Sequence, residues 1–128
     1  MGLLVVKRYS IQRRQSRLVL PGSPSEIDDE VKDFVFVSMT VNASVNESSV
    51  SILLQHHEGY SAILSFGGVE GLRLECDDSP PLGWRQGPSF NLAELNNGVF
   101  EFVVGPYSLE FTAADATVTW PEPDSALP

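Results

Sequence analysis

Cysteine is nearly absent. Cys76 is the only one in 128 residues, which excludes an internal disulfide framework. Bases are scarce too. Eight lysines and arginines stand against seventeen aspartates and glutamates, a formal charge of -9. Such a chain is repelled by nucleic acid and by anionic membrane surfaces, so neither is expected as a partner. No run of about 18 apolar residues occurs, and the sequence therefore offers no transmembrane helix. The apolar stretch Leu3-Leu4-Val5-Val6 is too short for a signal-peptide core, and a cytoplasmic location is the expectation. Walker loop, GxGxxG fingerprint, nucleophile elbow and zinc-finger spacing are all missing.

What remains is ordinary globular material. Apolar residues make up 42% and charged residues 20%, too apolar for a disordered chain. The length fits one domain, expected over residues 1–120, with 121–128 as an extended tail. The few bases are unevenly placed. Lys7, Arg8, Arg13, Arg14 and Arg17 lie in the first twenty residues, which hold no acid and carry +5. The rest of the chain has all seventeen acids beside Lys32, Arg73 and Arg85, and carries -14. Residues 1–20 therefore read as a basic strand or hairpin. It would lie against the acidic body of its own chain or of a second copy, and a homodimer is one expectation.

Hydrophobic side chains recur at every second position, the period of a strand with one wet face. In 31–45 the odd positions are mostly apolar (Val31, Val35, Val37, Met39, Val41, Val45), while Phe34 and Phe36 break the rule at the start. Val50, Ile52 and Leu54 form the next apolar face, then Tyr60, Ala62, Leu64 and Phe66, then Leu72, Leu74 and Cys76. Gly67-Gly68 is a two-residue hairpin signal, so these three runs predict a central meander. Residues 77–89, with Pro80-Pro81, predict a long loop. Asn91–Leu95 predicts one helical turn, within a short helix near 91–96 that Gly98 ends. Phe100, Phe102 and Val104, then Tyr107, Leu109 and Phe111, alternate on either side of Gly105-Pro106. Ala116, Val118 and Trp120 close the pattern. The expectation is an all-β fold: an antiparallel meander of about eight short strands closing into a sandwich, roll or barrel.

Chemistry-bearing residues are few. His56-His57-Glu58 is the one dense set of ligand types, but adjacent strand residues point to opposite faces, and zinc needs three or four convergent donors. It reads as a polar strand end. Cys76 shares a face with Leu72 and Leu74 and reads as a small buried hydrophobe. Its neighbours Glu75, Asp77 and Asp78 oppose a thiolate. Asp28-Asp29-Glu30 and Asp77-Asp78 lack the alternating oxygens and glycine of a calcium loop and read as solvated charge. No cofactor is implied, and no catalytic constellation, so the chain does not read as an enzyme. The proline-stiffened loop around Trp84-Arg85 carries two residue types that dominate binding hot spots. Trp84, Arg85, Asp77 and Asp78 are the expected partner-binding residues, with Trp84 folding back onto the core as the alternative.

The stretch Ile63-Leu64-Ser65-Phe66-Gly67-Gly68-Val69-Glu70-Gly71-Leu72-Arg73-Leu74 resembles the small acidic β-rich immunity proteins of bacterial polymorphic-toxin systems. The resemblance implies a protein that blocks one basic toxin through an acidic surface. It carries no residue-specific role. The sequence thus points to a non-catalytic acidic domain that binds a basic protein. The alternatives are an assembly subunit that self-associates through β edges and a β-barrel that holds a small molecule.

Overall fold

The computed structural model describes residues 8–14, 17–25, 28–76, 90–96 and 98–121. The alternation seen in the sequence becomes twelve strands among the described residues. They are β1 (Arg8–Ser10), β2 (Gln12–Arg14), β3 (Arg17–Leu20), β4 (Asp29–Glu30), β5 (Phe34–Ala43) and β6 (Ser48–His56) in the first half. β7 (Ser61–Gly67), β8 (Glu70–Cys76), β9 (Phe90–Asn96), β10 (Val99–Val104), β11 (Tyr107–Thr112) and β12 (Asp115–Thr119) follow. One 3-10 turn, Val31–Asp33, is the only helical element among the described residues. Every strand pairing is antiparallel. A five-stranded sheet runs β1-β12-β7-β6-β5, a four-stranded sheet β8-β11-β10-β9, and a small sheet β2-β3-β4.

The two larger sheets share one core. From the first come Val50, Ile52, Leu54, Ala62, Leu64, Phe66 and Val118. From the second come Leu92, Phe100, Phe102, Leu109 and Phe111. Phe66 bridges them: its ring meets Phe100 at 5.0 Å and Phe111 at 5.1 Å, both edge-to-face. This arrangement satisfies the aromatic quadrupoles while burying large apolar area. The architecture is therefore a sandwich, with β2-β3-β4 closing one side through the buried Leu18 and Leu20. The separate sheets and the filled interior leave no closed barrel among the described residues.

Three expectations need correction. The central meander stops after two strands: β7 already has β6 and β12 as neighbours, so β8 cannot pair with it and joins the second sheet beside β11. Gly67-Gly68 is thus a crossing between sheets and not a hairpin. The residues near 91–96 form no helix. β9 pairs along its length with β10, Leu92 is buried, and the Glu94 carboxylate accepts the Gly98 N–H at 2.9 Å to close the turn. Finally, the odd-position face of β5 holds for only half the strand. A register shift between Phe36 and Ser38 turns Phe34 and Phe36 toward the core, leaves Val35 and Val37 exposed, and returns Met39 to the inner side. The extra residue of a bulge swaps the faces, which periodicity alone cannot place.

The crossing depends on backbone that only glycine adopts freely. Gly68 has φ +58° and Gly71 φ +62°. A Cβ on Gly68 would lie 2.7 Å from the Ala114 Cβ, whereas one on Gly71 meets nothing within 4 Å. Gly71→Ala should cost the left-handed strain alone, about 1–2 kcal/mol. Gly68→Ala should cost clearly more, because Ala114, in the turn before β12, must also move. Urea unfolding of the two variants checks the ranking, and equal losses would place the constraint in backbone strain alone.

Candidate functional site

The charged and polar residues gather in two places, one inside and one outside. The inner one forms where β4, the end of β6 and the turn after it meet. Asp29 and His56 are buried. The Asp29 carboxylate accepts hydrogen bonds from the Ser23 hydroxyl and the Tyr60 hydroxyl through Oδ2, while Oδ1 lies 3.5 Å from His56 Nε2. His56 Nδ1 accepts the Glu58 N–H at 3.1 Å, so this nitrogen carries no proton. The ring is then the neutral tautomer with its proton on Nε2, facing Asp29. The Tyr60 ring stacks on His56 at 4.4 Å, and Phe34 packs edge-on to both. Trp120 packs against Phe34 and Tyr60 and donates its indole N–H to the Pro21 carbonyl at 2.7 Å.

A serine, a histidine and an aspartate in contact invite comparison with a nucleophilic triad, but the connectivity is wrong. The serine must hydrogen-bond the imidazole, and the aspartate must hold the far nitrogen. Here the serine bonds the aspartate, and the far nitrogen is occupied by a backbone amide. The arrangement works as a latch. It gives a buried carboxylate two hydroxyl donors with the His56 ring beside it, and ties Pro21, Ser23 and Asp29 to the end of β6, Tyr60 and Trp120. Asp29 is thus a buried acceptor and not solvated loop charge, because β4 begins at Asp29 and turns it inward, while Asp28 just before the strand stays exposed. His56 is buried and His57 exposed, yet their rings approach to 4.1 Å because the turn begins at His57. Among the described residues, no group of three or more ligand-type side chains is close enough to hold a metal.

The outer place is the solvent face of the four-stranded sheet. Strand register puts Ala93, Glu101, Glu110 and Arg73 in one row across β9, β10, β11 and β8. The next row is Asn91, Val103, Ser108 and Glu75. Glu101 and Glu110 are directly opposed, a placement that destabilises a sheet because the side chains start about 5 Å apart. Three glutamates and one arginine give this face a net negative charge. Some of the basic N-terminal region is neutralised elsewhere: Arg17 pairs with Glu30 at 2.9 Å, and Arg14 with Asp28 at 3.4 Å. β1 joins the five-stranded sheet through β12.

The expected binding residues Asp77, Asp78, Trp84 and Arg85 lie outside the described residues, as does the tail beyond Pro121. Cys76 is exposed, contrary to its expected burial, because it ends a strand at the edge of its sheet. Two grooves open on the described surface, one of about 140 Å³ beside Arg17, Glu30 and Phe90, and one of about 310 Å³ beside Ile11, Glu94 and Asp115. Comparison with protein families, with curated proteins and with solved structures finds no match.

Burial, and then the hydrogen bond to Asp29, raises the Tyr60 pKa above its ordinary value of 10.0. A raised folded-state pKa means the latch contributes fully below pH 10 and is lost as pH climbs through the raised value. Tyr60→Phe should therefore destabilise by about 1–3 kcal/mol near neutral pH. That difference should shrink above pH 10, as denaturant titrations at the two pH values can show. Asp29→Ala, which strands the part-buried Ser23 and Tyr60 hydroxyls beside the buried His56, should cost about 3 kcal/mol.

Proposed function

We propose that this chain is a non-catalytic protein-binding domain whose acidic sheet face engages a basic partner, in the manner of an inhibitor or immunity protein. The observation that carries this reading is the Glu101–Glu110 opposition on the solvent face. A like-charge pair in the middle of a sheet lowers stability unless something outside the fold uses it. A partner that presents lysine or arginine would relieve that repulsion. With Glu75 alongside and a formal charge of -9 overall, the same field would accelerate encounter with a positive surface.

The buried latch supports a non-catalytic role, since its serine and histidine are engaged in holding the fold. The single thiol suits a reducing compartment such as the cytoplasm.

Affinity capture from cells of the source organism, with Glu101→Lys/Glu110→Lys as the matched control, tests the reading. The wild-type chain should retain a basic protein, and calorimetry should show its affinity falling as salt rises. The double variant should bind it about tenfold more weakly, about 1.4 kcal/mol. Glu101→Lys alone should also raise the stability of the free protein by about 0.2–1 kcal/mol, because its other neighbour in the row is Ala93 and the change replaces repulsion of Glu110 by attraction. A partner whose affinity ignores both salt and charge reversal would overturn the proposal.

A further inference from the structure

We propose that two copies of this chain associate by pairing β8 with β8 of the second copy, antiparallel and centred on Leu74, which joins the two four-stranded sheets into one of eight strands. The inference does not rest on the acidic face having a partner. It starts from an edge. Among the described residues, β8 ends its sheet, with β11 on one side and no strand on the other. All seven of its residues are exposed. An unpaired edge presents a row of free N–H and C=O groups, which natural proteins normally blunt. Of the other large-sheet edges, β5 carries a bulge between Phe36 and Ser38, β9 packs against β3, and β1 is only three residues long. β8 has a register shift of its own near Gly71. β8 is regular from Arg73 to Cys76 and carries no proline.

Its side chains also point to an apolar partner. Leu74 lies opposite the buried Leu109, on the core side of the sheet, yet it is 57% exposed. Leu72 is 40% exposed and Tyr107, opposite Cys76, is 49% exposed. The core side of this edge is therefore apolar and open.

The identity of the partner follows from the sequence of the edge itself, Leu72-Arg73-Leu74-Glu75-Cys76. A two-fold antiparallel pairing must centre on one residue for side chains to share faces. Centred on Leu74, it sets Leu74 against Leu74 and Leu72 against Cys76 on the core side. On the solvent side, Arg73 meets Glu75 twice, once in each direction. Centring on Arg73 opposes two arginines, and centring on Glu75 opposes two glutamates. Only the Leu74 register satisfies both faces, so the strand is complementary to itself in charge and in hydrophobicity.

The test uses the full chain in sedimentation equilibrium, at about 150 mM salt to screen the repulsion between two acidic bodies. The mass should rise with concentration from 14.0 kDa toward about 28 kDa. Arg73→Glu or Glu75→Arg alone creates two like-charge pairs at the seam and should weaken the dimer about tenfold. The double variant Arg73→Glu/Glu75→Arg should restore it. Arg73 also faces Glu110 within its own sheet, so a second readout avoids charge. In a Cys76→Ser background, Leu74→Cys should give a covalent dimer with oxidised glutathione. Arg73→Cys should not, since each copy faces residue 75 of the other, which leaves the two positions 73 two residues out of register, about 8 Å apart and beyond disulfide reach. A chain that stays at 14.0 kDa at its solubility limit overturns the proposal. So does a dimer that ignores the single reversals, or one that cross-links through position 73 instead of 74.

Discussion

The structure depends on the contact that Phe66 makes across the sandwich. Its ring closes edge-on against Phe100 and Phe111, and the chain then leaves the first sheet at once. Neither large sheet can stand alone, since each has one apolar face that must be covered. Phe66 is where the cover is fastened. The Gly67–Gly71 crossing follows directly, and it delivers β8 to the far sheet as an edge strand with part of its core side uncovered.

Polar chemistry is divided between inside and outside, and the two have opposite roles. Inside, Asp29 gathers Ser23, Tyr60 and His56, which turns a costly buried carboxylate into a fixed point that holds Ser23 and β4 to the end of β6. Outside, Glu101 and Glu110 are opposed, and Arg73 beside Glu110 is the one counter-charge in their row. The first arrangement favours a single folded state. The second lowers stability, and under the proposed function it is the surface a positively charged partner would meet.

Much of the fold was legible in period-two alternation, because that pattern reports a face directly. Phe100, Phe102, Leu109 and Phe111 all point inward as the pattern requires. The opposed glutamates were legible as well, since Glu101 and Glu110 lie symmetrically about Gly105-Pro106 and a tight turn there pairs them. What periodicity could not show is which strand lies beside which. The placement of β8 turns on β12, a strand about forty residues later that occupies the flank of β7. Asp29 was read as loop charge because an acidic triplet looks the same whether or not its middle member turns inward. The helix expected near 91–96 failed for a related reason. Leu92 and Leu95 fit a helical turn in isolation, and pairing with β10 overrides that local preference.

Native-state hydrogen exchange tests the central claim that Phe66 binds two dependent sheets into one unit. Amides at the centres of β6 and β7, and of β10 and β11, should exchange only through global unfolding and report the same opening free energy. Phe66→Ala should lower both sets together, by about 3–5 kcal/mol. If the β8-β11-β10-β9 sheet opened at a lower free energy than the first, or if Phe66→Ala left its protection intact, the sheets would be independent and the account would be wrong.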